Sequence, residues 1–411
     1  MTTPAPKRLP SLYRRVGKEG VIYAAALLFC MGQGLLLLGI VFLAKTTLGS
    51  QPSTVGWLVG LNSLVFVLGC LLVRPAVTAR LSPLHQLMIA TFGSTVISVL
   101  LMCVRTIGAA FVLFPLVGLA VMLFWPTIAG WLSTGKEGPA LARTLAWYNV
   151  AWCTGAILSP FICGWLSEGW TRAPFLAAAS ICLLTAAIVV GASRYLPSEA
   201  LPPPPAPAQT LPCHASGGTL YRYPYWVGVL VTFLGMNVIL TVFPMAALDQ
   251  LHLSKTAIGG ILLVRALFNT MSFMALGRVS FWHFRAWPML AGQALGCVVF
   301  LSLPGIQSFW GLAGLFALFG LSGAISYTGS AFHGVSGSTD RARRMAIHEV
   351  LISSGFIIGS VGGSTLYQAA SMARVYRSCA GLMALAIVVQ AGLCVWIRRR
   401  ENAATVSDIY P

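Results

Sequence analysis

The chain has 411 residues, of which 57% are hydrophobic and only 9% charged. Soluble domains carry roughly 25% charged residues, so the composition excludes a protein that covers its own surface in water. The net charge of +17 would suit a nucleic acid, but the Lys and Arg sit in short stretches between long apolar runs, and no basic patch interleaved with aromatics occurs.

A bilayer core of about 30 Å needs about 20 apolar helical residues to cross it. Twelve such runs follow in order. The first six are Gly20–Ala44, Val55–Val73, His85–Val104, Ile107–Trp131, Leu141–Leu166 and Pro174–Tyr195. The second six are Tyr225–Leu248, Thr256–Leu276, Arg285–Leu303, Phe309–Gly334, Met345–Tyr367 and Val375–Ile397. Between the sets lie Pro197, Pro202 to Pro205, Pro207, Pro212 and Gly217-Gly218. Such a stretch buries too little surface to fold and predicts a flexible tether over 197–221. It separates a six-helix bundle, 1–196, from a second bundle and tail, 222–411. The fold class predicted is an all-α integral membrane protein of twelve transmembrane helices.

The first run is too long for the core of a cleavable signal, and Lys7, Arg8, Arg14, Arg15 and Lys18 precede it. Placing both termini in the cytoplasm puts 19 Lys and Arg inside and 6 outside, with Arg265 within a span. That excess predicts an N-in, C-in protein of the inner membrane. The ten Cys are scattered without CxxC spacing, which argues against a metal site or a disulfide frame. Cys213-His214 is an isolated pair of potential ligands. No metal, cofactor or nucleic-acid partner is expected, and the chain is expected to be a monomer. No HExxH, GxSxG or paired carboxylates lie within the spans, and no G-x-x-x-x-G-K-[ST] loop occurs, so neither an enzyme nor an ATP-driven pump is predicted.

The second half repeats the first about 200 residues later. Arg143-Thr-Leu-Ala-Trp-Tyr-Asn-Val-Ala-Trp-Cys-Thr-Gly155 lies over Arg343-Arg-Met-Ala-Ile-His-Glu-Val-Leu-Ile-Ser-Ser-Gly355. Upstream, Phe114, Gly118 and Trp125 match Phe316, Gly320 and Tyr327, while Val55-Gly56 and Asn62 match Ile258-Gly259 and Arg265. These units are far longer than solenoid repeats. Two such halves predict an axis along the membrane normal and a site at the seam between them.

Six plus six spans, a central linker and parallel halves resemble the major facilitator superfamily, and the resemblance covers nearly the whole chain. Its loop pattern Gly-x-x-x-Asp-Arg-x-Gly-Arg survives weakly as Pro75-Ala-Val-Thr-Ala79-Arg80-Leu-Ser82; Arg80 remains and the Gly and Asp do not. The equivalent stretch Gly277-Arg-Val-Ser-Phe-Trp282-His283-Phe-Arg285 also lacks the Asp. In the fifth run, Gly155-Ala-Ile-Leu-Ser159-Pro160-Phe-Ile-Cys163-Gly164 resembles the family pattern Gly-x-x-x-Gly-Pro-x-x-Gly-Gly, and its repeat partner is Gly355-Phe-Ile-Ile-Gly359-Ser-Val-Gly362-Gly363. The family associates that pattern with exporters, although close helix packing alone would demand the same small residues. The resemblance implies a cavity lined by spans one, four, seven and ten. On this chain that points to Gln33, Trp125, Asn237 with Thr241, and Ser326 with Tyr327. Trp125 and Tyr327 are repeat-equivalent rings that could sandwich an organic solute, or could pack between helices.

Charges at bilayer depth are costly and each is a functional hypothesis. Arg265 lies near the middle of the eighth run, with Asn269 and Ser272 on the same helical face. A guanidinium beside an amide suits a carboxylate or phosphate; the alternative is an Arg paired internally to hold the bundle. Its repeat partner, Asn62, is uncharged, so Asn62 completes the candidate set with no second charge. Glu349 sits one turn into the eleventh run beside His348. It could carry a coupling proton with His348, or could satisfy a helix N-terminus and its Arg neighbours. The resulting reading is a secondary transporter of a small organic solute, anionic rather than cationic, working by alternating access and open to proton coupling. The alternatives are a non-transporting receptor or assembly factor on the same scaffold, or a multidrug-type exporter.

Overall fold

The computed structural model describes residues 11–133, 138–193, 220–336 and 341–409. The predicted tether lies outside these residues except for its last two positions, as does Cys213-His214. Among the described residues, twelve helices are long and apolar enough to cross a membrane. They are α1 (Glu19–Thr47), α2 (Pro52–Thr78), α3 (Pro83–Met102), α4 (Ile107–Ile128), α5 (Arg143–Gly169) and α6 (Ala173–Gly191). Then come α7 (Arg222–Asp249), α8 (Lys255–Leu276), α9 (Trp287–Gly305), α10 (Phe309–Val335), α11 (Arg343–Ala369) and α12 (Met372–Arg400). No strand occurs among the described residues.

Local chemistry sets several helix starts. Ser82, Thr106, Ser254 and Ser308 each accept a backbone N–H three residues on, from His85, Ala109, Ala257 and Gly311. These caps satisfy donors that would otherwise be orphaned at the starts of α3, α4, α8 and α10. Two spans widen into a π-helical turn that ends two residues before a proline: Gly69–Val73 ahead of Pro75, and Val238–Val242 ahead of Pro244. A proline ring clashes with the carbonyl four residues earlier, and the wider turn relieves that clash. The stretch Pro75 to Arg80, expected as a loop, is helical in consequence.

The chain separates into two compact units. One takes the described residues of Met1–Leu43 and Val65–Ala206, the other those of Ala44–Leu64 and Pro207–Pro411. In the first unit α5 packs along α1. Gly155 places its Cα against the backbone of α1, where a Cβ would strike Leu27 O, Met31 N and Cys30 Cβ. Further along, Gly34 makes room for Ser159, and Cys163 Sγ lies 3.6 Å from Leu35 O. Thr127 Oγ1 donates to Gln86 Oε1 at 2.8 Å, and Gln86 Nε2 donates to Leu81 O, which ties α3 to α4.

The second unit includes the end of α1 and the first half of α2, because small residues let that stretch of α2 approach α11. Gly56 faces Ser364 and the carbonyl of Ser360, and Gly60 faces Val361 and Ser360. Lys45 Nζ lies 2.7 Å from Asp249 Oδ2, Gln368 Oε1 accepts from Ser53 N, and Gln368 Nε2 donates to Gln51 Oε1 at 2.6 Å. Deeper in the unit, Thr232 Oγ1 donates to Gln293 Oε1 at 2.8 Å and lies 3.0 Å from Ser326 Oγ. This hydroxyl–amide set, buried among α7, α9 and α10, joins helices that gain little from hydrophobic association in lipid.

Candidate solute-binding site

The site residues of the second unit are assembled by α8 and α10. Arg265 is the eleventh residue of α8. Gly320 of α10 lies directly on the α8 backbone, and a Cβ there would meet Arg265 O and Asn269 N. Asn269 Nδ2 donates to Gly320 O at 2.9 Å, which fixes the amide on the face it shares with Arg265. Gly323 extends the clearing: a Cβ on it would stand 3.2 Å from Met236 Cε and 3.3 Å from Asn269 Nδ2.

Arg265 is only 9% exposed. Its Nη1 lies 3.0 Å from Met236 Sδ, and its Nε has no hydrogen-bond partner. No carboxylate pairs with it among the described residues. A thioether is a weak acceptor, whereas a guanidinium stays charged in a protein and carries five donors. Leaving such donors unmet in a buried place costs about 1–3 kcal/mol or more per group. Among the described side chains, a thioether is the acceptor this guanidinium meets.

One helical turn from this polar layer stand aromatic rings. Tyr327 packs 6.0 Å from Phe233 and 5.4 Å from Phe273, and Phe233 packs 5.5 Å from Phe356. Asn237, expected to face solute, donates its amide to Phe356 O and accepts from Thr241 Oγ1 at 3.2 Å. It is spent on holding α11 to α7. Ser326 is likewise taken up by Thr232.

His348 and Glu349 part company, because consecutive helical residues point about 100° apart. His348 is fully buried, with Nδ1 2.8 Å from Ser330 Oγ, its ring edge on Tyr327 at 4.9 Å, and Nε2 unbonded. Glu349 is exposed and makes no hydrogen bond or ion pair among the described residues. Asn62 is 8% exposed, and its Oδ1 has no partner.

In the first unit Trp125 Nε1 donates to Gln33 Oε1 at 3.0 Å, joining α4 to α1. Phe29 lies 5.9 Å from Trp125 and stacks on Phe124 at 3.7 Å, and Tyr148 meets Trp125 edge-on at 6.5 Å. The pair Trp125–Tyr148 is the repeat counterpart of Tyr327–His348, and both are edge contacts, with interplanar angles of 72° and 69°. Met236, Phe233, Phe273 and Phe356 were not among the residues expected from the sequence. An aromatic or Met in an apolar run reads as ordinary core, and no spacing in the sequence marks these residues as one layer. No group of three or more His, Cys, Asp or Glu able to hold a metal occurs among the described residues.

Twelve apolar spans in two halves, with a buried cation and half-buried rings among them, define a multi-pass membrane transporter of the secondary class. A family model described as Major Facilitator Superfamily matches residues 22–336, and the chain belongs to that family. No curated protein matches it in sequence. Among solved structures it resembles a bacterial homolog of the human lysosomal transporter Spinster in an inward-facing, occupied conformation, with a TM-score of 0.68, 12% identity and coverage of 95% of this chain and 98% of that one. It also resembles the nucleoside transporter NupG, with a TM-score of 0.64, 12% identity and coverage of 91% and 98%. The human organic anion transporter MFSD10 matches with a TM-score of 0.59, 16% identity and coverage of 93% and 100%. At these identities the likeness establishes the fold.

Proposed function

We propose that this chain moves a small organic anion across the inner membrane by alternating access, with Arg265 holding the anionic group. One observation carries the reading: a guanidinium 9% exposed, with an unbonded Nε and a thioether at Nη1. Translocon scales put an Arg at a helix centre at about 2.5–3.5 kcal/mol, so an acceptor supplied by solute would offset a standing cost. Asn269 orients that face, and Tyr327 and Asn62 are the residues of the same unit proposed to meet solute with it. The description of MFSD10 as an organic anion transporter agrees with this reading. Glu349, exposed and unpaired, is the group proposed to carry a coupling proton, with His348 held apart from it by Ser330. The Lys and Arg excess on one side of the spans supports cytoplasmic termini.

The test is thermal stabilisation of the purified protein against a panel of carboxylates, phosphates, sugars and amines. A ligand at 100 times its Kd adds about 2.7 kcal/mol of stability. Stabilisation by anions alone, weakened in Arg265→Lys, is the expected outcome. Stabilisation by amines or neutral sugars, or anion binding unaffected in Arg265→Lys, removes Arg265 from the site.

A further inference from the structure

Resting on that reading, we infer that the transported anion is a monoanion with an apolar, ring-bearing body, and that Phe233, Phe273 and Tyr327 recognise the ring. The inference comes from what the second unit offers a ligand and what it withholds.

Two layers are built by the same three helices. The polar layer is Met236 on α7, Arg265 and Asn269 on α8, and Gly320 with Gly323 on α10. The ring layer is Phe233, three residues before Met236; Phe273, four after Asn269; and Tyr327, four after Gly323. Each step is about one helical turn. All three steps run the same way, because α7 is antiparallel to α8 and α10, and the ring contacts of 5.4 and 6.0 Å close the layer. A charged group on Arg265 therefore places the rest of the solute about one turn, some 5 Å, into a set of rings. Phe233, Phe273, Tyr327 and Phe356 are each only partly buried, so ring surface remains to be covered.

Most hydrogen-bonding side chains around these layers are already committed, with His348 Nε2, buried beside Tyr327, left unbonded. Asn237 is held by Phe356 O and Thr241, Asn269 donates to Gly320 O, and Thr232, Ser326 and Gln293 bond to one another. Ser330 is 2.8 Å from His348. Among the described residues Arg265 is the one charged side chain of the two layers. One guanidinium can receive one carboxylate or sulfonate in bidentate fashion. A tricarboxylate or a sugar phosphate would bury further charges or hydroxyls against rings and a thioether, where unmet polar groups are penalised. An aryl monoanion brings no polar group beyond the one that Arg265 meets, and gains offset or edge-on ring contacts.

The test uses the full-length protein in detergent and three probes: 2-naphthoate, its neutral isostere 2-naphthamide, and citrate. Dissociation constants are read by thermal shift and tryptophan fluorescence. We expect 2-naphthoate to bind at least about tenfold tighter than either comparison, a factor in keeping with one aromatic pair or one charged hydrogen bond. Phe233→Leu, which keeps apolar bulk but removes the ring, is expected to weaken 2-naphthoate about tenfold, and Arg265→Lys to weaken it as well. Citrate binding more tightly than 2-naphthoate, with loss in Arg265→Lys, overturns the ring inference and leaves the anion reading intact. Tighter binding of 2-naphthamide overturns the anion reading, and this inference with it. Absence of 2-naphthoate binding, or equal binding by wild type and both variants, overturns the ring inference directly. The wild-type ranking decides the matter by itself where a variant does not insert.

Discussion

Gly155 and Gly355 occupy the same place in their two units, each pressed onto a helix that a side chain would push away. A Cβ on Gly155 would meet Leu27 O and Met31 N of α1; one on Gly355 would meet Leu230 O and Leu234 N of α7. In both, the contacted atoms are a carbonyl and the amide four residues on. The next contact is reversed: Gly34 yields to Ser159 in the first unit, and Gly359 lies against Asn237 Cβ in the second. The two crossings thus each pair a glycine with a polar side chain, and exchange which helix supplies which.

Gly155→Val and Gly355→Val are each expected to destabilise the protein by about 1–3 kcal/mol, as overpacking of a tight contact does. The midpoint of thermal unfolding in detergent measures this. Equal stability of both variants with wild type would mean that the crossings are looser than the backbone contacts indicate.

Arg265→Met separates a binding role from a structural one. Met matches the length and apolar body of Arg without its charge. A guanidinium with only a thioether for a partner contributes little to the fold. Arg265→Met is therefore expected to insert normally, to unfold no earlier than wild type, and to lose anion binding entirely. A fall in the unfolding midpoint of several degrees would instead identify Arg265 as a staple.

Gly56→Val is expected to detach the first half of α2 from α11. Its side chain would run into Ser364 and the carbonyl of Ser360. A cysteine pair at Gly60 and Val361 should then cross-link readily in an otherwise wild-type protein and poorly beside Gly56→Val. Undiminished cross-linking would show that the contact tolerates bulk. The Lys45–Asp249 pair is expected to matter much less, since it is partly exposed and such pairs contribute about 0–1 kcal/mol.

Glu349→Gln addresses coupling. With Glu349 exposed and unpaired, the neutral amide is expected to leave folding and solute exchange intact while abolishing any stimulation of uptake by a pH gradient in proteoliposomes. A pH-gradient response equal to wild type in this variant would exclude Glu349 as the proton carrier.

Much of this protein is decided by one-dimensional facts. A run of about 20 apolar residues must cross a bilayer as a helix, because no other single-segment structure satisfies its own backbone in lipid. The twelve spans follow from that. So does the prominence of Arg265, since one charge in an apolar run stands out whatever surrounds it, and the likeness of Gly155 to Gly355, since a crossing that needs no side chain selects glycine. What meets Arg265 was a different kind of fact. Met236 precedes it by 29 residues and Gly320, which positions Asn269, follows by more than 50; neither spacing has a periodic signature. Asn237 reads as a ligand in sequence and is a helix clasp in space, because the carbonyl of Phe356 lies 119 residues away along the chain and in contact through the fold. Glu349 and His348 are neighbours in sequence and divided by the turn of the helix. Tertiary packing alone determines which polar groups are spent on each other and which are left with a donor to offer, and that remainder is where a solute can bind.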